Sequence, residues 1–556
     1  MTRRSYEHHL PPRELWPTIV RDTPELRYPP MLNLATALLD THVEHGASKR
    51  TAIIGNDGRM TYGDLQVMTN RIGHALRRLG VEPGDRVLMR FLNSPLFVAT
   101  WLAVQKIGAI GVPTMPMLRA RELAYIINDS EARLAICQHD LMDELARARA
   151  AVDHDVVVVA AGRTTATIAA ATLPPSSDRR LESLIADAPD RLDPAPVASG
   201  DVALIAYTSG STGAPKGATH TPADVLASAD GYARHVLGTT PDDVCGGHPT
   251  LAFTFGLGGL LVFPLRVGAC TSLIERFSPD TLLTRIAADR MTILFCAATT
   301  YRLLLQHPGF ERVHDLRSLR VCVSAGEPLP AAVYQEWRRR TGIDILDGIG
   351  STEMFHIFIS ARQGTVRPGS TGTPVPGYEA RVVDENLEDV APGTQGLLAV
   401  RGPTGCRYWR KPDRQREYVR NGWNITGDVY RRDGDGYFWY QCRNDDLIIC
   451  GGYNIAGPEV ENVMLEHDAV LDVAVVASPD SLRGSIPKAF VVLKEGFAPS
   501  AALVTALQEH VKRELAPYKY PRKVEFVPAL PRTETGKVRR VELREREALR
   551  RNALNP

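Results

Sequence analysis

TSGSTGAPKG, residues 208–217, gathers three glycines, four hydroxyl side chains, one lysine and no acidic group into ten residues. Such a stretch can present backbone N–H groups, hydroxyls and one cation to a polyphosphate at close range. It follows an apolar run, residues 202–207, that reads as a buried strand. Nucleotide phosphates often dock where a strand opens into a glycine-rich loop. The Walker A pattern, G-x-x-x-x-G-K-[ST], does not fit, because Lys216 stands between Pro215 and Gly217. A flexible surface linker is the plain alternative, yet linkers seldom carry lysine beside proline directly after a buried strand. The loop reads as a phosphate grip of another kind.

Upstream, Leu65, Met68, Ile72, Ala75, Leu76 and Leu79 recur at helical spacing, with Gly80 as a C-terminal cap. A turn at residues 83–85 leads to a strand over 86–91, a helix over 94–106 and a strand over 109–112. This alternation predicts α/β architecture, with parallel sheets covered by helices. Residues 161–200 read as a surface connection. Residues 318–323 and 344–346 read as further buried strands, each opening into small or polar residues, SAGEPLP (324–330) and DGIGSTE (347–353). Ligands in open α/β sheets bind at strand carboxyl ends, so the three loops are expected to converge on one crevice. That crevice would offer Thr208, Ser209, Gly210, Ser211, Thr212, Gly213, Lys216, Gly326, Glu327, Asp347, Gly348 and Ile349 to a nucleotide. Residues 371–440 read as a small β-rich subdomain. A boundary is expected near Arg443-Asn444-Asp445-Asp446, giving a large domain over 1–442 and a compact α+β domain over 443–556.

Length and composition agree with this division. At 556 residues the chain exceeds what one hydrophobic core normally serves. The 44% apolar and 23% charged fractions are those of an ordinary globular protein. A net charge of +1 supplies no overall field for nucleic acid or an anionic membrane, so neither is expected as a partner. The basic clusters at Arg338–Arg340 and Arg539–Arg540 read as solvated helix faces. No stretch reaches the roughly 18 apolar residues of a membrane span, and the first residues lack the apolar segment of a secretory signal. Eight cysteines without a C-x-x-C pair argue against a zinc site or a disulfide framework. A cytoplasmic protein is expected.

Among the loops, Glu353 is the carboxylate placed to face a nucleotide. A hard oxygen ligand beside polyphosphate suits Mg²⁺; taken alone, Glu353 would be a helix N-cap partner. Thr352 beside it can donate to an α-phosphate. In WNITGD, residues 423–428, Asp428 can accept both hydroxyls of a ribose, with Arg443 flanking it; either alone would be a turn residue. PRTETGK, residues 531–537, ends in Lys537, and a lone loop lysine is ordinarily solvated decoration.

Taken together and in this order, these segments resemble the adenylate-forming superfamily of acyl- and aryl-CoA ligases, carrier-protein adenylation domains and luciferases. The resemblance spans roughly residues 56–540 and includes RNDDLIICGGYNIAGPEVE, residues 443–461. It implies ATP, Mg²⁺ and coenzyme A as cofactor and substrates, with Glu353 holding the metal. Lys537 would be the catalytic lysine, acting with Thr352 and Glu353, and Asp445 the hinge on which a mobile C-terminal domain turns. Gly451, Gly452 and Tyr453 would line the CoA channel after that turn. A homodimer is one assembly compatible with the resemblance.

The acid pocket follows the phosphate loop in sequence. In LAFTFGLGG, residues 251–259, Phe253 stands where many relatives carry histidine, followed by Phe255 and Gly256. Ala298, Thr299, Ala325, Ile349 and Gly350 would complete flat walls that suit a planar ring. The run GIGSTEMFHIFIS, residues 348–360, resembles the benzoate-CoA and 2-aminobenzoate-CoA ligase group, and LAFTFGLGGLLVFPL leans toward the latter. His356 would bond the carboxylate or an ortho substituent, or else pack in the core. The expected activity is an ATP-dependent aryl-CoA ligase acting on benzoate or 2-aminobenzoate. The alternatives are an enzyme loading an aryl group onto a carrier-protein thiol and a catalytically silent sensor.

Overall fold

The computed structural model describes residues 6–162, 179–208, 215–308, 310, 315–450, 453–480, 483–515, 519–533 and 536–554. Among the described residues, two large helix-covered sheets form the body of the chain. One has nine strands, and its central run, from Thr51–Gly55 through Cys270–Leu273, Val244–Gly247, Ile293–Cys296 and Val321–Ala325 to Ile345–Gly350, is parallel throughout. The other has seven strands and ends in the antiparallel pair Leu204–Thr208 and Lys216–His220. The central strands are buried on both faces because helices cover both.

The helices follow local chemistry. Helix Tyr62–Arg78 is capped by Thr61, which accepts from the Asp64 backbone N–H while Asp64 reaches back to the Thr61 N–H. Ser94 accepts from Phe97 N at 3.2 Å and Pro95 opens helix Pro95–Lys106. The apolar stretch after residue 253 is a helical run, Thr254–Val267, with a wider π turn over Gly258–Val262. Among the described residues no helix is long and apolar enough to cross a membrane.

A five-stranded antiparallel sheet built on Trp423–Arg432 forms the β-rich subdomain. The C-terminal domain has its own five-stranded sheet around the Val470–Asp480 and Gly484–Leu493 hairpin, with helices Gly457–Leu465, Ala501–Glu514 and Arg540–Leu554.

Two expectations change. The turn expected at 347–353 is strand as far as Gly350, because Ile357–Ser360 returns antiparallel and continues the ladder through Gly348 and Ile349. A Cβ on Gly348 would lie 2.9 Å from Ile357, so the close strand approach requires glycine. The phosphate loop joins two antiparallel strands. Residues 179–185 of the expected surface connection form a short strand and helix.

Candidate functional site

Thr208 and Lys216 face each other as Cα partners at the root of the phosphate-loop hairpin. Ser209, Gly210, Ser211, Thr212 and Gly213 lie outside the described residues. Lys216 Nζ sits 5.7 Å from the ring centroid of Tyr408, whose hydroxyl donates to Glu353 Oε1 at 2.7 Å. Burial, with Cys406 and Glu353 beside it, pushes the Tyr408 phenol up, which keeps it a donor. His220, at the end of the same strand, donates from Nε2 to the Thr352 carbonyl at 2.7 Å. Burial lowers the His220 pKa to about 4, so the ring is neutral, with its proton on Nε2. Tyr408 and His220 thus tie the hairpin to the acidic turn.

That turn is a single 3₁₀ turn, Thr352–Met354, capped by Ser351, which accepts from Met354 N at 3.2 Å. Ser351 fills the capping role that Glu353 would otherwise have shared. Phe355 then takes φ +70°, a conformation rare for an aromatic residue, and packs edge-on against His220. The departing chain is turned back sharply and Glu353 is left at the apex.

On the ribose side, Asp428 and Arg443 are Cα partners across adjacent antiparallel strands. Arg443 Nη1 donates to Asp428 Oδ1 and to the Thr426 carbonyl, both at 3.1 Å. Burial raises the Asp428 pKa and the Arg443 charge opposes it. Asp347 is buried as well, and its carboxyl is pushed up to about 8, mainly by burial, with Glu327 adding to the rise. Asp347 Oδ1 has no hydrogen-bond partner among the described residues.

Lys537 comes to this group from the C-terminal domain. Its loop is closed by Thr533 N donating to Lys537 O at 2.7 Å and Lys537 N donating to Thr533 Oγ1 at 3.1 Å, with Gly536 at φ +86°. A methyl group on Gly326 would lie 3.7 Å from Lys537 Cε. Solvent still reaches the side chain, yet burial lowers the ammonium pKa from the ordinary lysine value. Glu327, Asp428 and Glu353 pull it the other way, and Arg443 lowers it further. The lysine thus stands among three carboxylates drawn from three separate segments, with Arg443 beside one of them.

The residues expected to line the acid pocket lie on the helical run after residue 253, on helix Ala298–Gln306 and at the ends of strands Val321–Ala325 and Ile345–Gly350. Phe253 caps the helical run that begins at Thr254, and Phe255 meets Phe295 edge-on with centroids 5.9 Å apart. Gly256 is pressed so closely on Thr250 that a Cβ would stand 2.1 Å from its carbonyl oxygen. Ala298 and Ala325 are buried, while Thr299, Ile349 and Gly350 are half-buried. His356 is only 2% exposed, ringed by Tyr232, Phe255 and Phe263, with Nε2 on the Phe255 carbonyl at 3.2 Å. Burial lowers its pKa to about 3, so this ring is a neutral part of the packed layer beneath Phe255.

Asp445 sits in a 3₁₀ turn, Asn444–Asp446, between the last strand of the β-rich sheet and the first strand of the C-terminal sheet. Tyr453 opens the strand Tyr453–Ile455, and Gly451 and Gly452 lie outside the described residues. Among the described residues no group of three or more His, Cys, Asp or Glu is placed to hold a metal. A single carboxylate such as Glu353, with one oxygen engaged by Tyr408, fits Mg²⁺, which completes its shell with phosphate and water oxygens.

A family model described as AMP-binding enzyme matches residues 39–409, and one described as AMP-binding enzyme C-terminal domain matches residues 459–537. The benzoate–CoA ligase of Thauera aromatica is 38% identical over 528 residues, covering 94% of this chain and 97% of that protein. The solved anthranilate CoA ligase AuaEII, in complex with anthranoyl-AMP, superposes with a TM-score of 0.89 at 35% identity, covering 95% of this chain and 100% of that one. A benzoate CoA ligase from Burkholderia xenovorans LB400 superposes with a TM-score of 0.83 at 34% identity, over 92% of this chain and 99% of that one.

Proposed function

The chain belongs to the AMP-binding enzyme family, and from that premise we propose an ATP-dependent aryl-CoA ligase of the benzoate type, with 2-aminobenzoate as its acid. The observation that carries the mechanism is Lys537 beside Gly326, facing Glu327, Glu353 and Asp428. A carboxylate and an α-phosphate repel each other, and a fixed cation between them lowers that barrier. In the first half-reaction a carboxylate oxygen bonds to the α-phosphorus and pyrophosphate departs. In the second, the CoA thiolate attacks the acyl carbon of the mixed anhydride, and AMP departs.

Thr208 to Lys216 would hold the β- and γ-phosphates, Thr352 the α-phosphate, and Asp428 the ribose hydroxyls. Gly326, Glu327 and the Asp347–Ile349 strand segment would border the base. Glu353 would hold Mg²⁺, whose charge would offset that of the phosphates. Phe253 and Phe255 would bracket the aryl ring, with Gly256, Ala298, Thr299, Ala325, Ile349 and Gly350 as its walls. His356 would act from behind Phe255. The domains would divide at residue 443, with Asp445 as pivot, so that Gly451, Gly452 and Tyr453 replace Lys537 for the second half-reaction.

The preference for 2-aminobenzoate rests on the phrase LAFTFGLGGLLVFPL and on the similarity to an anthranilate CoA ligase. The acceptor is tested by incubating the purified chain with ATP, Mg²⁺, 2-aminobenzoate and CoA, with no carrier protein. The expected product is 2-aminobenzoyl-CoA at multiple turnovers. Adenylate that accumulates without reaching CoA would point instead to a carrier-protein thiol.

A further inference from the structure

Lys537 is held at Gly326 in part by Arg302, Asp472 and Arg532, to which neither half-reaction assigns a role. Helix Ala298–Gln306 of the large domain carries Arg302, whose Nη1 donates to Asp472 Oδ1 of the C-terminal domain at 3.1 Å. Asp472 also pairs with Arg532, five residues before Lys537 in the same loop. Arg532 Nη1 in turn donates to the Gly536 carbonyl at 2.5 Å, immediately beside the lysine. Both guanidiniums meet at Thr299 Oγ1, Arg302 at 3.1 Å and Arg532 at 3.4 Å, and Thr299 N donates to Glu327 Oε1 at 2.5 Å. The network therefore runs from one domain to the other and closes on a carboxylate that faces Lys537.

The backbone aims Asp472 at this contact. The pairing of Val470–Asp480 with Gly484–Leu493 slips between Val470 and Asp472, a bulge one residue before the aspartate. Bulges re-aim a side chain at a sheet margin. The side chains of Arg302, Asp472 and Arg532 are 20%, 18% and 25% exposed, so solvent screens them only in part.

We propose that Arg302, through Asp472 and with Thr299, is a positioning residue that latches the C-terminal domain with Lys537 at the adenylation site. The contacts divide by domain. Asp472 and Arg532 travel together in any rotation of the C-terminal domain, so their ion pair survives it. The Arg302–Asp472 and Arg532–Thr299 bonds cross the domains and break. Arg302 is thus the member whose contribution belongs to one arrangement alone. Its removal leaves Asp472 still paired with Arg532, so no unpaired charge is left behind and the fold is spared.

This inference rests on the assignment of Lys537 to the first half-reaction, and its test separates the two. Aryl-adenylate formation and transfer from supplied aryl-adenylate to CoA are measured for Arg302→Ala, Arg302→Lys, Asp472→Asn and Lys537→Ala. Arg302→Ala is expected to slow adenylate formation about fivefold, chiefly in kcat, with transfer unchanged or faster. Arg302→Lys should recover part of the loss, and adding Arg302→Ala to Asp472→Asn should cost little more than Asp472→Asn alone, which also removes the Asp472–Arg532 pair. Equal losses in both half-reactions, or no loss in either, would overturn the latch. If Lys537→Ala itself fails to separate the half-reactions, the assignment of the lysine falls first, and the latch falls with it.

Discussion

Lys537→Ala is expected to reduce aryl-adenylate formation by roughly 100- to 1000-fold, the scale on which a preorganised charge or donor at a reacting centre acts. Transfer of a supplied aryl-adenylate to CoA should persist near the parent rate, since the ammonium has no part in that step. The site also sets a sign for the pH dependence. Burial puts the Lys537 pKa below the ordinary lysine value, and the three surrounding carboxylates only offset that fall. The cation is the working form, so adenylation should decline as pH rises through the lowered value, and transfer should show no such decline. Equal loss of both half-reactions would exclude Lys537 as the residue specific to adenylation.

Asp445→Pro should do the reverse, leaving adenylation largely intact and slowing CoA transfer at least tenfold. The segment has a firm attachment on each side. Arg443 bonds Asp428 and the Thr426 carbonyl in the β-rich sheet, whereas Asp446 pairs with Arg544 of the last helix. Rotation between the domains must then be absorbed at Asn444 and Asp445. Proline fixes φ at this position near the value a 3₁₀ turn uses and so resists the change that rotation requires. Single-turnover measurement of each half-reaction checks this, and a parent rate of CoA transfer would exclude Asp445 as the pivot.

The parts of this site legible in the sequence are those whose chemistry is local. A glycine- and hydroxyl-rich loop after an apolar run announces a phosphate grip whatever surrounds it, and the alternation of helix and strand signals announces parallel sheets. The pairing of Asp428 with Arg443 depends on strand register, which the intervening turn sets and which spacing alone leaves open. Ile345–Gly350 extends past the expected strand end because a partner returns from beyond Phe355, a tertiary effect on residues with weak strand preference.

Tyr408 and His220 gave no signal, since one tyrosine in CRYWR and one histidine after a strand look like ordinary core residues until Glu353 and Thr352 arrive beside them. His356 carried two readings, and its enclosure by Tyr232, Phe255 and Phe263 favours the packed one. Arg302 and Asp472 were invisible for a further reason. Their meeting depends on how two domains dock, and no local pattern in either segment encodes it.

The central claim is that this site adenylates an aromatic acid, and ATP–pyrophosphate exchange across a panel of acids tests it most directly. The panel should include benzoate, 2-aminobenzoate, 4-hydroxybenzoate, acetate and hexanoate, assayed with Mg²⁺ and without CoA. Exchange is expected with the benzoates, strongest for 2-aminobenzoate, and at least tenfold weaker with hexanoate and acetate. A preference for hexanoate, or no exchange with any benzoate, would contradict the claim.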